Sequence, residues 1–173
     1  MNKPLVSIIM NCFNGEKYLK EALESILNQT YENWELIFWD NLSNDNSKEI
    51  FKKYNDKRFK YFLADKHTVL YEARNLAVKK VKGEFIAFLD TDDVWLKEKL
   101  EEQIKLFSNK KIGLVYGNYW RFNSKHLFKK KKLARNLELP NGKITNILLQ
   151  RYFIGMLTVV IRKEYINAKD KIF

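Results

Sequence analysis

The sequence predicts an α/β fold: a mostly parallel central sheet with helices on both faces. Two observations carry this prediction. Short apolar, β-branched runs alternate with stretches whose apolar residues recur at helical spacing, giving β-α-β-α-β-α-β-α-β through Tyr116. That alternation is the pattern of parallel strands joined by crossover helices. The strand runs are also continuously apolar rather than alternating, as expected of a sheet covered on both sides.

Leu5–Met10 is the first such run, and the polar Asn11-Cys12-Phe13-Asn14-Gly15 that follows reads as a turn. Glu16–Asn28 reads as a helix, because Tyr18, Leu19, Ala22, Leu23, Ile26 and Leu27 fall on one face. Trp34–Trp39 is a second strand, ending in Asp40-Asn41, and Ser43–Ser47 offers N-caps for a helix through about Tyr54. Phe59–Leu63 is a third strand. Tyr71–Val81 is a third helix, with Gly83 as its C-cap. Phe85–Leu89 is a fourth strand ending at Asp90, Leu96–Phe107 a fourth helix and Ile112–Tyr116 a fifth strand. Past Tyr119 the pattern weakens. Asn123–Leu139 is basic and loop-like, Pro140-Asn141-Gly142 a turn, Ile144–Tyr152 a helix and Leu157–Ile161 a strand.

The 173 residues, 46% hydrophobic and 31% charged, fit one globular domain. Two parts are expected within it: a core over residues 1–119 and a basic segment over 120–173. The net charge of +11 is concentrated near the C-terminus, where residues 109–173 hold fifteen Lys and Arg against three Asp and Glu. The run Lys129–Lys132 lies at its centre. Such a segment attracts polyanions, or is simply a solvated loop. No apolar stretch approaches the ~20 residues that span a bilayer, no signal peptide is evident, and the lone Cys12 excludes an internal disulfide. These features predict a cytoplasmic protein.

In an open parallel sheet, ligands bind outside the carboxyl ends of the strands. Strand one delivers Asn11, Phe13 and Asn14 there; strand two delivers Asp40 and Asn41; strand four delivers Asp90, Asp92 and Asp93. Three carboxylates within four residues repel one another unless a cation or water relieves them. Oxygen-only ligands suit Mg²⁺ or Mn²⁺, which share their shell with substrate phosphates. The plain alternative is a solvated turn that caps the following helix. No glycine-rich phosphate loop follows strand one, which argues against dinucleotide-binding dehydrogenases and P-loop kinases and fits a diphosphate held through a metal. Phe13 offers a face for a nucleobase, or packs as an ordinary aromatic. His67 and His126 lack metal-ligand spacing and read as surface residues, and no nucleophilic triad is visible.

The chain resembles the inverting glycosyltransferases of family 2, which have the GT-A fold. The resemblance rests on Val6–Asn14, on Leu19, Leu23, Ser25, Gln29-Thr30-Tyr31 and Glu35, on Trp39–Asp45, on Ala73-Arg74-Asn75, and on Gly83–Asp93 with its DxD motif. These fall in order over about the first 100 residues. The resemblance implies that Asn11 and Phe13 hold the nucleobase, that Asp40 and Asn41 read its edge and anchor the nucleoside, and that Arg74 and Asn75 lie near the nucleotide. It further implies that Asp90 contacts the ribose or the metal shell and that Asp92, with Asp93, binds Mn²⁺ or Mg²⁺ bridging the phosphates. The reaction implied is transfer of a sugar from a nucleotide-diphosphate sugar, UDP-linked as first choice, to a saccharide or lipid-linked acceptor in surface polysaccharide or lipopolysaccharide synthesis.

Asn41 stands where the family often has a second acid, and Phe13 where it usually has tyrosine. The family's catalytic base commonly lies in a Glu-Asp pair after a strand like Thr158–Lys163. No such pair follows here; Glu138, Glu164 and Asp170 are the acids after residue 108. The expectation is a chain ending before the base, with exposed apolar surface that invites self-association. The alternative is a module that binds nucleotide sugar without transfer. The basic segment suggests peripheral contact with an anionic membrane rather than nucleic acid, for which no recognised motif is present.

Overall fold

A computed structural model describes residues 3–121, 132–133 and 138–166. Its main sheet has six strands in the order β3-β2-β1-β4-β8-β5, and a two-stranded ribbon pairs β6 with β7. The main-sheet strands are β1 (Val6–Cys12), β2 (Trp34–Asp40), β3 (Phe59–Leu63), β4 (Phe85–Phe88), β5 (Leu114–Val115) and β8 (Val160–Arg162). β6 is Trp120–Arg121 and β7 Lys132–Leu133. The helices are α1 (Glu16–Leu27), α2 (Ser47–Lys52), α3 (Leu70–Val78), α4 (Lys99–Leu106) and α5 (Thr145–Gln150).

β1 lies parallel to both β2 and β4, and β2 parallel to β3. The carboxyl ends of these four strands therefore share one edge. β8 runs antiparallel between β4 and β5, so β5 points the same way as β4. The mostly parallel sheet is as expected, with β8 as the reversed strand. Of the predicted strand Leu157–Ile161, the first part is instead a 3₁₀ turn, Met156–Thr158. That turn delivers the chain to β8 from the carboxyl edge.

Both faces are covered, which explains the continuous apolar runs. Ile8, Met10, Leu36, Phe38 and Ala87 pack with Leu19, Leu23 and Ile26 of α1, Phe51 of α2 and Leu100 of α4. Ile9, Ile37, Ile86 and Phe88 pack on the other face with Ala73, Ala77 and Val78 of α3. Small residues on α3 let it lie close to the sheet. A third cluster joins Phe153, Ile154 and Val159 to Tyr116, Ile144, Ile147 and Leu148, tying α5 to the β5 edge.

Gly83 is not the cap of α3, which ends at Val78 with Lys79 as its C-cap. Gly83 is needed for close approach: a Cβ there would come within 2.6 Å of Leu5 O and 2.7 Å of Ser7 N. Its N–H donates to Ser7 Oγ at 2.8 Å, and Ser7 Oγ–H donates to the buried Glu35 carboxylate at 2.6 Å. Glu35 also accepts from the Lys82 N–H at 2.8 Å. One buried acid thus links β1, β2 and the approach to β4 while its own oxygen is satisfied.

The basic run falls largely outside the described residues, as do His126 and Asp170. No described helix is long and apolar enough to cross a membrane.

Candidate functional site: the carboxyl edge of the sheet

The turns after β1 and β2 are laced together by side chain–backbone hydrogen bonds. Ser43 Oγ accepts from the Asn14 N–H at 3.1 Å and Ser47 Oγ from the Gly15 N–H at 2.9 Å. Asp45 accepts from the Glu16 N–H at 2.9 Å, and Asn14 Oδ1 from the Asn44 N–H at 2.9 Å. Asn14 (φ 55°) and Leu42 (φ 65°) adopt the left-handed conformation that this interlocking requires. One consequence is chemical. The amides of the N-cap Gly15 and of Glu16, at the end of α1 where a helix ordinarily offers an anion site, are already engaged by Ser47 and Asp45.

The turn after β4 lies against this pair. A Cβ at Gly15 would sit 3.0 Å from Thr91 Oγ1 and 3.1 Å from Cys12 Sγ, so glycine lets the first turn abut the acidic one. Within the acidic turn, Asp93 N–H donates to Asp90 O at 3.1 Å. Arg74 on α3 donates through one nitrogen to both Asp90 carboxylate oxygens, at 2.8 and 3.0 Å. Asp92 and Asp93 have no ion pair or side-chain hydrogen bond among the described residues. Burial, and then the charges of Asp92 and Asp90, push the Asp93 carboxyl up to about 6. These two carboxylates are hard oxygen donors whose repulsion a divalent cation would relieve, so the donor set fits Mg²⁺ or Mn²⁺. No group of three or more His, Cys, Asp or Glu side chains gathers at metal-binding distance among the described residues. Such a cation would take its remaining ligands from phosphate and water.

The other expected residues divide into two kinds. Asn11 and Phe13 are available. The Asn11 side chain is buried, with Nδ2 unpartnered among the described residues, which is unusual for a buried amide donor. Phe13 is 53% exposed. Asp40 and Asn41 are occupied. Asp40, 1% exposed, accepts from the Ser43 N–H at 2.8 Å and the Tyr61 hydroxyl at 2.5 Å. Burial and that hydrogen bond hold the Tyr61 hydroxyl well above its ordinary pKa. The Asn41 amide is engaged mainly by Thr68: Nδ2 donates to Thr68 O at 2.6 Å, and Oδ1 accepts from Thr68 N–H and Oγ1–H, both at 3.2 Å, while Nδ2 also lies 3.3 Å from His67 Nδ1. Asn75 lies beside Arg74 on α3, half-buried.

His67 joins this group although its sequence context gave it a surface role. Its ring lies 4.3 Å from that of Phe13, tilted by 52°. Nδ1 stands 2.9 Å from Asn41 O and 3.3 Å from Asn41 Nδ2, so the tautomer sets whether it donates to the one or accepts from the other. The signal was available: His67 follows β3, a parallel strand whose carboxyl end opens on the same edge.

The architecture is that of the GT-A-like folds. The chain belongs to glycosyltransferase family 2: residues 7–167 match the family model described as Glycosyl transferase family 2. It is 38% identical over 167 residues to the Escherichia coli UDP-Glc:alpha-D-GlcNAc-diphosphoundecaprenol beta-1,3-glucosyltransferase WfgD, covering 96% of this chain and 64% of that protein. Among solved structures it is similar to S. aureus TarS 1–349, with a TM-score of 0.69 and 26% identity over 91% of this chain and 46% of that one. It shares its fold with the mannosyltransferase PcManGT from Pyrobaculum calidifontis, solved with GDP-Man and Mn²⁺, at a TM-score of 0.63 and 21% identity over 67% of this chain and 36% of that one. The chain thus spans less than two thirds of the length of these relatives.

Proposed function

We propose that this chain binds a nucleotide-diphosphate sugar at the carboxyl edge of β1, β2 and β4, with a divalent metal, as the donor-binding part of a glycosyltransferase. The observation that carries the reading is the meeting of two unmet demands at one edge. Asn11 Nδ2 is a buried donor without an acceptor among the described residues, and Asp92 and Asp93 have no ion pair or side-chain hydrogen bond among them. A nucleoside diphosphate and its metal answer both.

In this reading the exposed Phe13 ring, backed by His67, offers its free face to the nucleobase, and Asn11 donates to it. Asp40 and Asn41 act by shape, fixing the turn and the Thr68 backbone that border the base. Arg74 holds Asp90 toward the ribose, with Asn75 beside it. Asp92, with Asp93, would hold Mn²⁺ or Mg²⁺ against the two phosphates. A cation held there supplies Lewis-acid stabilisation of the departing diphosphate. UDP is the favoured nucleotide: TarS has been solved in complex with UDP-GlcNAc, and WfgD is named as using UDP-Glc. The WfgD name also favours a lipid-linked saccharide acceptor in glycan synthesis, which suits a basic segment beside an anionic membrane.

Isothermal titration of UDP into wild type and Asp92→Ala, with and without Mn²⁺, tests this. The expected result is Mn²⁺-dependent binding, weakened at least about ten-fold in the variant, as befits loss of one ligand to a phosphate-bridging metal. Equal binding by both proteins, or none by wild type, would reject the assignment.

A further inference from the structure

A cavity of about 380 Å³ lies between the start of α4, the segment after β5 and the turn before β8. All three sit at the carboxyl edge, so the cavity borders the acidic turn on the side away from Phe13 and Asn11. Trp95, Lys99 and Gln103 line it and, spaced four residues apart, share one face of the chain entering and forming α4. Two of them hold the turn before β8: Trp95 Nε1–H donates to Leu157 O at 2.8 Å and Gln103 Nε2–H to Thr158 O at 2.7 Å.

That leaves two buried polar atoms unanswered. Lys99 Nζ and Gln103 Oε1 each lack a hydrogen-bond partner among the described residues. Lys99 Nζ lies 4.0 Å from the centre of the Trp95 ring, a cation–π contact that offsets only part of the lost hydration. A lysine tip ordinarily reaches for water; this one is turned inward. The rim acids Glu98 and Glu102 do not answer it, since they pair with Lys97 at 3.3 Å and Lys105 at 2.8 Å.

The ammonium needs an acceptor and the amide oxygen needs a donor. A hydroxyl group is both at once, whereas an anion would leave the amide oxygen unmet. Tyr119 and Trp120 complete the wall, and Trp120 is 48% exposed. Its flat apolar face suits the C–H face of a sugar ring.

We propose that this cavity is the acceptor subsite: it takes a neutral pyranose of the acceptor, one hydroxyl placed between Lys99 and Gln103 and the ring against Trp120. The assignment rests on the glycosyltransferase reading above and adds where the acceptor sugar sits.

Saturation-transfer NMR tests it with the methyl glycosides of glucose, galactose and N-acetylglucosamine, and with cyclohexanol as a control that carries a single hydroxyl and none of a sugar's other polar groups. Each is measured with and without UDP and Mn²⁺ on wild type, Lys99→Met and Trp120→Ala, and UDP affinity is titrated in parallel. At least one glycoside should bind wild type in preference to cyclohexanol. Its affinity should fall about ten-fold in Lys99→Met, the loss expected for one charge-assisted hydrogen bond, and should also fall in Trp120→Ala, while UDP affinity stays unchanged. Glycoside binding indifferent to both substitutions would overturn the assignment, as would cyclohexanol alone binding, or no glycoside binding to a protein that binds UDP. Failure of UDP to bind, with Lys99-dependent glycoside binding intact, would reject the donor reading and keep the saccharide subsite.

Discussion

Asn41 holds the Thr68 backbone through both ends of its amide, and the fit is specific to an amide. Asn41→Asp removes the Nδ2 donor and sets a carboxylate oxygen against Thr68 O. The expected result is a loss of about 1–3 kcal/mol in urea unfolding, from a buried carbonyl left unpaired, together with weaker UDP binding as the 67–68 segment shifts. Lys99 makes a different prediction. Burial pushes its ammonium down to about 7 from the usual 10.5. Between those values the unfolded chain binds a proton that the folded chain does not, so stability rises with pH across that window. Below about pH 7 both states are protonated, and the full cost of burying the charge remains. Lys99→Met removes this term. Melting temperatures taken from about pH 7 toward pH 10 should therefore rise more for wild type than for the variant, with the gap between them changing in that direction.

Among the elements, Gly83 decides how closely the approach to β4 can pass β1. Any Cβ there meets backbone atoms of Leu5 and Ser7, which cannot swing aside. Gly83→Ala should destabilise the protein by about 1–3 kcal/mol, the usual range for overpacking a close site, as measured by denaturant midpoint. The turns after β1 and β2 behave as one unit, because each satisfies the other's backbone amides. This is the physical reason the Gly15 and Glu16 amides at the start of α1 are already engaged, and in the proposed reading the acidic turn after β4 would supply the counter-charge to phosphate through a cation.

For the whole molecule, charge and site are separated. The acidic edge lies in the near-neutral first part, and the excess of Lys and Arg follows residue 108. If the acceptor is carried on a membrane lipid, the basic part of the sequence is the part suited to an anionic surface. Co-sedimentation with vesicles containing phosphatidylglycerol should exceed that with phosphatidylcholine alone and should decline as salt is raised, since the attraction is screened within a Debye length. Equal sedimentation with both vesicle types would remove membrane contact from the proposal.

Strands β1 to β5, the helices and most of the carboxyl-edge residues were legible in the chain, because burial on both faces imposes continuous apolar runs and helical spacing leaves a periodic trace; the two-residue β6 and β7 leave no such run, and the start of the strand expected at 157–161 is a 3₁₀ turn. The acidic cluster was legible for a similar reason: three acids in one turn stand out without coordinates. What each residue touches was not legible. Asp40 and Asn41 carry the same polar groups whether they face a ligand or a neighbouring turn, and only the packed structure shows them occupied by Ser43, Tyr61 and Thr68. His67 against Phe13, and Lys99 and Gln103 along one cavity with residues from beyond β5, are contacts between distant segments. Sequence alone determined the fold class and the chemistry available at the edge of the sheet. Tertiary structure decided which of those groups remain unsatisfied, because a hydrogen-bonding partner is a matter of distance in space, which sequence separation does not record.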